Sequence, residues 1–100
     1  SDLVAFGALV AIKQRGLEVP ADVALVGFDD VRLAHYVDPP LTTVRLPAYA
    51  LGYQAATLLT QLVNGDPVEE GQILLQTELV VRQSCGVADR GRHRALSEKG

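Results

Sequence analysis

An unbroken apolar run extends from Val23 to Val26 and is followed by glycine, phenylalanine and two aspartates, Asp29 and Asp30. Every position of this run is apolar, whereas a strand with one wet face alternates apolar and polar residues. The pattern therefore predicts a strand that is buried on both faces, as in a parallel sheet covered by helices. Open sheets of this kind bind ligands beyond the carboxyl ends of their strands, so we expect Asp29 to lie at a binding edge.

The first segment of the chain is predicted to be a helix. Ser1 is a suitable N-cap, and the helix is expected to run to about Arg15, where Gly16 stops it. Two apolar faces result, with Leu3, Phe6 and Val10 on one and Ala5, Leu9 and Ile12 on the other. A helix that covers one side of a sheet needs only one apolar stripe. The second face therefore needs its own partner, either another helix or a second subunit.

A second helix is predicted to begin at Pro47 and to end at Asn64-Gly65. Its apolar residues recur at the spacing typical of a helix that docks on a sheet: Leu51, Ala55, Leu58 and Leu62. Before it, the double proline at 39–40 bars a regular helix and predicts a rigid, extended crossover. After it, residues 73–84 are predicted to be extended, with one or two strands.

Composition narrows the range of functions. The chain has 100 residues, 48% of them hydrophobic, which is enough to form the core of one small domain. The net charge of −3 gives no electrostatic reason to expect nucleic-acid binding, because binding to phosphates needs a clustered basic face. No run approaches the ~20 apolar residues of a membrane span. The single cysteine, Cys85, excludes an intrachain disulfide and fits a reducing compartment.

Residues 86–100 are basic and polar without apolar periodicity, which predicts a flexible C-terminal tail.

Several short motifs occur in a fixed order along the chain. They are Asp2, Ala5 and Gly7; Arg15-Gly16-Leu17 with Val19-Pro20; Gly27-Phe28-Asp29-Asp30; Pro39-Pro40-Leu41-Thr42-Thr43-Val44; Leu51-Gly52 with Ala55-Ala56; and Leu79-Val80-Val81-Arg82. In this order and at this spacing, they resemble the effector-binding domain of the lactose-repressor and galactose-repressor family of bacterial transcription regulators. The resemblance covers about residues 1–84, nearly the whole chain.

The resemblance implies an α/β chain that forms part of a two-lobed, periplasmic-binding-protein-like fold, with parallel sheets flanked by helices, incomplete without upstream residues. Residues 1–85 would then be the C-terminal portion of an effector-binding and dimerisation domain. The implied protein is a cytoplasmic repressor that binds a small molecule, expected to be a sugar. It forms a homodimer and reaches DNA through an upstream helix-turn-helix domain. A sugar-binding receptor of an ABC-type transport system shares this fold and remains the alternative.

The resemblance also implies roles for individual residues. Asp29 and Ser1 are expected to bind the effector. The family commonly has Asn at the position of Ser1 and Gln at that of Leu46, so the identity of the ligand stays open. A helix-capping role is the alternative for the two aspartates, and it fits Asp30 better. The dimer interface is expected at Leu3, Phe6, Val10 and Tyr36. The crossover between the lobes is expected at Leu41, Thr42, Thr43 and Val44.

No pattern in the sequence indicates an enzyme, a cofactor or a metal site. No Gly-x-Ser-x-Gly motif surrounds a serine. Asp29 and Asp30 are adjacent strand residues and are expected to point to opposite faces, so they cannot easily address one ligand. His35 is expected at the surface or at an interface. A single carboxylate at a sheet edge is instead suited to accept two hydrogen bonds from vicinal hydroxyls of a sugar.

The predicted elements are too few for two lobes, and a buried parallel strand needs a neighbour on each side. We therefore expect the isolated 100-residue chain to be poorly folded or to associate through open sheet edges. Light scattering coupled to size-exclusion chromatography, together with a thermal melt, checks this expectation. A sharp, reversible melt of a monomer would contradict it.

Overall fold

The computed structural model describes residues 1–68 and 74–87. In chain order its elements are helix α1 (Asp2–Gln14), a 3-10 helix (Arg32–His35), strand β1 (Thr43–Arg45), helix α2 (Ala48–Val63) and strand β2 (Glu78–Val80). The chain divides into two units. The first unit comprises Ser1–Arg45 and the described residues from Glu78 onward, and the second comprises Leu46–Thr77.

Local signals determine both ends of α1, as predicted. The Ser1 hydroxyl oxygen accepts a hydrogen bond from the Val4 amide at 3.3 Å and so caps the first turn. The helix ends at Gln14, with Arg15 as the C-cap. Gly16 follows with a φ of 75°, the left-handed conformation that glycine adopts without a steric penalty.

The core of the first unit forms between α1 and the segment that leads into β1. Its buried members are Ala5, Ala34 and Leu41, and the half-buried residues packed against them are Phe6, Leu25 and Val37. One face of α1 is buried, at Asp2, Ala5 and Leu9. The opposite face, with Leu3 and Val10, stays exposed.

The apolar run from Val23 to Val26 is not a strand buried on both faces, so that prediction was wrong for the described chain. Val26 pairs with Thr42 only through an isolated parallel bridge. Leu25 is half-buried, but its neighbour Val26 is exposed. Alternate residues of an extended segment point to opposite faces, and the described chain covers only one face of this one.

The strands form a two-stranded antiparallel sheet, in which Thr43 lies opposite Val80 and Arg45 opposite Glu78. Parallel pairing, which the sequence predicts, is present in the described residues as two isolated bridges rather than as a sheet. β1 begins two residues later than the predicted crossover strand 41–44 and extends one residue beyond it. The sheet lies where the chain leaves the first unit, after Arg45, and where it returns, at Glu78.

Helix α2 has the predicted limits, with Pro47 as N-cap and Asn64 as C-cap. Its predicted docking on a sheet is not seen, because no residue of α2 is buried in the described structure. Three residues of the apolar stripe, Leu51, Ala55 and Leu58, line a pocket of about 150 Å³ together with Gln54 and Leu75. Leu75 is the one residue of that lining from outside the helix, so most of the stripe remains in contact with water.

Residues 88–100 of the predicted tail lie outside the described part of the chain. Among the described helices, neither has the length and apolar character needed to cross a membrane.

Gly27 is the position where the first unit has least room for a larger side chain. A Cβ at this position would collide with Oδ1 of Asp2 and lie 2.8 Å from Cδ2 of Leu41. We expect Gly27→Ala to lower the free energy of unfolding of the full-length natural protein by about 1–3 kcal/mol, because overpacking forces neighbouring groups to shift. Chemical denaturation measures this change.

Gly52→Ala is the matched control. Gly52 lies on α2, and a Cβ there would meet nothing within 4 Å. Alanine is the better helix former, so this variant should be about 0.5–1 kcal/mol more stable than the wild type. Changes of the same sign and size in both variants would contradict the packing assigned to Gly27.

Candidate functional site

The carboxylate of Asp2 is fully buried and joins three parts of the first unit. Its Oδ1 accepts a hydrogen bond from the Thr43 hydroxyl at 2.6 Å, and its Oδ2 accepts one from the Val31 amide at 2.8 Å. The backbone amide of Asp2 donates to the Phe28 carbonyl at 3.0 Å. Asp2 therefore fixes the loop 28–31 against both the start of α1 and β1.

Sequence reasoning missed this role of Asp2. It identified Asp2 only as a member of the ordered motifs, and it favoured a helix-capping role for Asp30. The 3-10 helix instead has Val31 as its N-cap without a side-chain cap, and Asp2 accepts the hydrogen bond of the Val31 amide. A signal was present in Thr42 and Thr43, since hydroxyls inside an apolar segment imply buried hydrogen-bond partners.

The carboxylate of Asp30 is held by two arginines. Nε of Arg45 and Nη2 of Arg82 each donate to it at 2.7 Å. The side chains of Asp30 and Arg82 are only 9% and 12% exposed, whereas that of Arg45 is half exposed. Desolvation would raise the pKa of Asp30, but the hydrogen bonds from Arg45 and Arg82 outweigh it and hold that pKa below its usual value of 3.8. The hydrogen bond to Asp30 in turn raises the pKa of Arg45.

The side chain of Asp29 has a different environment from that of Asp30. Its backbone amide donates to the Val44 carbonyl at 2.9 Å, and the residue pairs with Arg45 in a parallel bridge. Its side chain is exposed, and within residues 1–68 and 74–87 its carboxylate has no hydrogen-bond or ion-pair partner. The two carboxylates therefore do not form one acidic pair, in agreement with the sequence prediction.

The two predicted effector-binding residues lie at the same edge of the first unit. The hydrogen bond between the Asp2 amide and the Phe28 carbonyl joins the immediate neighbours of Ser1 and Asp29. Both residues are exposed. Their role in binding stays a prediction, but the fold brings the backbone of Ser1 close to that of Asp29 at the end of an extended segment.

The predicted crossover residues are anchored to the segment that follows β2. Leu41, Thr42 and Thr43 are buried, and Val44 is half-buried. The Thr42 amide donates to the Ser84 hydroxyl oxygen at 2.8 Å, and the Thr42 hydroxyl oxygen accepts from the Arg82 amide at 2.9 Å. Ser84 also donates to the Leu25 carbonyl at 2.6 Å. Movement of the crossover would therefore disturb several buried hydrogen bonds.

The residues predicted for the dimer interface differ in exposure. Leu3, Val10 and Tyr36 are exposed, whereas Phe6 is half-buried against the core. His35 is also exposed, as expected, and its ring meets that of Tyr36 edge-on at 5.2 Å. The role of this surface as a dimer interface stays a prediction.

An open pocket of about 400 Å³ lies beside the Asp30 ion pairs. Its lining residues are Asp30, Val31, Arg32, His35, Tyr36 and Arg82. Ser1 and Asp29 do not line it, so it is distinct from the edge predicted to bind the effector. No group of three or more metal-ligating side chains occurs in the described part of the chain.

A family model for the periplasmic binding protein-like domain matches residues 1–85. The chain belongs to this family. It is 47% identical over 94 residues to the HTH-type transcriptional regulator MalR of Streptomyces coelicolor, a match that covers 92% of this chain and 27% of MalR. It is 43% identical over 84 residues to the HTH-type transcriptional repressor CytR of Escherichia coli, which covers 84% of this chain and 25% of CytR.

Solved structures of periplasmic binding protein-like regulators agree with the sequence matches. The complex of the transcriptional regulator CelR with cellobiose superimposes with a TM-score of 0.78 at 39% identity, covering 84% of this chain and 26% of that one. The resemblance to the effector domain of lactose-repressor-type regulators is therefore confirmed, and so is the general fold class. The chain spans about a quarter of the length of MalR and CytR.

The Asp30 ion pairs predict a specific pH dependence of stability. Asp30→Asn removes the charge that balances the nearly buried Arg82, and we expect it to lower the free energy of unfolding by about 1–3 kcal/mol near neutral pH. Because the folded-state pKa of Asp30 is lowered, this stabilisation is complete above the unfolded-state value and is lost as the pH falls through the folded-state value. The difference between wild type and variant should therefore shrink only below about pH 4.

Chemical denaturation of the full-length natural protein between about pH 7 and pH 3 measures this difference. Asp38→Asn is the control, because the Asp38 side chain is 98% exposed and its ion pair with Lys13 is 3.8 Å long. Exposed pairs of this kind contribute about 0–1 kcal/mol. A difference for Asp30→Asn that disappears already above about pH 5 would contradict the lowered pKa.

Proposed function

We propose that this chain supplies the effector-binding and dimerisation part of a bacterial transcription regulator, a repressor that acts in the cytoplasm. The observation that carries the proposal is the 47% identity to the regulator MalR over 92% of the chain. DNA binding belongs to a helix-turn-helix domain outside these residues. The proposed role is a binding role, without catalysis and without a cofactor.

A sugar is the proposed effector. The relative CelR, with 39% identity, has cellobiose in its structure. An exposed carboxylate such as that of Asp29 accepts two hydrogen bonds from vicinal hydroxyls. Ser1 complements this carboxylate. The Ser1 hydroxyl oxygen accepts a hydrogen bond from the Val4 amide, and the hydroxyl hydrogen can donate to a ligand. A hydroxyl and a carboxylate at one edge match the donors and acceptors of a sugar.

In the proposed mechanism, effector binding changes the orientation of two lobes relative to each other, and this change alters the affinity for DNA. The chain leaves the first unit directly after β1 and returns at β2, so the crossover residues 41–44 immediately precede the first of these passages. An effector shifts the equilibrium between two lobe arrangements only by its difference in affinity for them. The Asp29 amide donates to the Val44 carbonyl at the crossover. A ligand bound at Asp29 would therefore have different affinities for the two lobe arrangements.

A second copy of the chain is the proposed partner of the outer face of α1. Leu3 and Val10 leave apolar surface exposed there, and Tyr36 is exposed directly after the 3-10 helix. Exposed apolar side chains of this kind mark protein interfaces where they form one patch. Phe6 contributes its remaining exposed part. This homodimer would carry the change from the effector site to two DNA-binding domains.

A sugar-binding receptor of a transport system is the rival function. The coding sequence upstream of Ser1 distinguishes the two, with the intact mass of the purified protein as a check on the true start. A helix-turn-helix followed by further effector-domain sequence supports the regulator. A secretory leader would refute it and would also remove the basis for the dimer and the DNA partner.

Asp29→Asn tests the effector site. We expect it to weaken binding of the sugar by about 10- to 100-fold, because it removes charge-assisted hydrogen bonds. Isothermal titration with cellobiose, the ligand of the relative CelR, is the first assay. Asp38→Asn, an exposed aspartate away from this edge, should bind as the wild type does. The dimer should stay intact in both variants, and normal binding by Asp29→Asn would refute the assignment.

Leu3→Glu tests the dimer interface. A charge placed in an apolar interface without a partner costs several kcal/mol, so we expect the dimer dissociation constant to rise by at least about 100-fold. Sedimentation equilibrium measures it. Gln83→Glu is the control, because it adds the same charge to an exposed position of the first unit that lies outside α1. If Leu3→Glu dimerises as the wild type does, the dimer interface does not lie on this face of α1.

A further inference from the structure

Asp29 and Asp30 both have positive φ angles, 132° and 59° respectively. Aspartate tolerates the left-handed region better than most residues, so the conformation of Asp30 alone is unremarkable. The φ of Asp29 lies well outside that region. A residue in such a conformation persists only where its surroundings over-determine it, and such conformations are concentrated at functional sites.

The backbone around Asp29 is held at three successive amides. The bonds are Asp29 to the Val44 carbonyl at 2.9 Å, Asp30 to the Thr43 hydroxyl at 3.3 Å, and Val31 to the Asp2 carboxylate at 2.8 Å. The middle bond is the longest of the three and involves a neutral hydroxyl. Hydrogen bonds to neutral groups are weaker than charge-assisted ones, so the backbone bonds hold Asp30 least firmly.

The side chain of Asp30 supplies the stronger attachment. Its two oxygens bind Arg45 and Arg82, each at 2.7 Å. Arg82 is itself fixed, because its Nη1 donates to the Leu41 carbonyl at 2.9 Å. Arg45 ends β1, and Arg82 follows β2 by two residues. One carboxylate therefore contacts both the strand by which the chain leaves the first unit and the segment after its return.

We propose that Asp30 is a positioning residue for Asp29. Its ion pairs with Arg45 and Arg82 hold the Asp29 backbone in its unusual conformation and so keep the Asp29 carboxylate at the exposed edge. The importance of this for ligand binding rests on the proposed function, in which Asp29 contacts the effector. The positioning itself is independent of any ligand and can be measured without one.

A merely structural ion pair would behave differently. If Asp30 only stabilised the first unit, its loss would increase the hydrogen-exchange rate of every buried amide in the unit by a similar factor. If it positions Asp29, the effect is concentrated at the amides of Asp29 and Val31. The amide of Leu9, on the buried face of α1, reports the stability of the unit as a whole.

Amide hydrogen exchange of the full-length protein, without ligand, decides between the two. In Asp30→Asn the Leu9 amide should exchange faster only by the factor that the loss of overall stability sets, and the amides of Asp29 and Val31 should exchange about tenfold faster beyond that factor. Asparagine tolerates the left-handed region as aspartate does, so this variant changes the charge and not the backbone preference. Asp38→Asn should leave all three amides unchanged.

Arg45 provides a milder pair of variants. Arg45→Gln removes one of the two ion pairs and should accelerate exchange at Asp29 by about threefold. Arg45→Lys keeps the charge and should restore most of the protection, although it loses the planar geometry of the guanidinium. Equal acceleration at Leu9 and Asp29, or no acceleration at Asp29 in either Asp30→Asn or Arg45→Gln, would overturn the proposal.

Titration with cellobiose separates this inference from the proposed function. If Asp30 positions a ligand-binding Asp29, Asp30→Asn weakens cellobiose binding by about tenfold, while Arg45→Lys stays within about threefold of the wild type. Normal binding by Asp30→Asn in a protein whose Asp29→Asn variant has lost binding would refute the positioning role. Normal binding by Asp29→Asn would instead refute the proposed effector contact, and the exchange data would still decide the role of Asp30.

Discussion

The first unit depends on satisfying a buried carboxylate. Asp2 is fully buried, and so are Thr43 and, nearly, Ser84. Polar groups in such an interior cost free energy unless each finds a partner. Every fully buried side-chain nitrogen or oxygen in the described residues has one. The bonds of Asp2 reach the loop 28–31 and β1, and those of Ser84 reach the crossover and the segment 23–26. These few bonds bring together segments that are far apart in the sequence.

This polar network also explains why two adjacent aspartates have different environments. In a regular strand the side chains of neighbouring residues alternate between faces. Here both residues have positive φ, and Asp30 turns toward Arg45 and Arg82 while Asp29 remains exposed. The charge of Asp30 is neutralised within the fold. The charge of Asp29 faces solvent, and in the proposed function it is this carboxylate that accepts hydrogen bonds from the effector.

Apolar surface remains exposed on several parts of the described chain, among them the outer face of α1, the stripe of α2 and the edge near Val26. Burial of such surface contributes about 25 cal/mol per Å². The proposed homodimer covers the first of these. The chain spans about a quarter of the length of its curated relatives MalR and CytR. In the proposed regulator, the α2 stripe and the Val26 edge face parts of the effector domain that lie outside these residues.

The sequence by itself determined the features that depend on neighbouring residues. Ser1, Gly16, Pro47 and Asn64 mark the ends of α1 and α2, because capping and backbone preference act over a few residues. The ordered motifs also identified the family, and the position of Asp29 after an apolar segment indicated an edge. Tertiary structure decided the rest. Asp30 pairs with Arg82, 52 residues away, and Asp2 bonds Thr43, 41 residues away. The exposure of Val26 and of the α2 stripe was likewise decided by what packs beside them, since an apolar pattern specifies which residues favour burial but not whether a partner covers them.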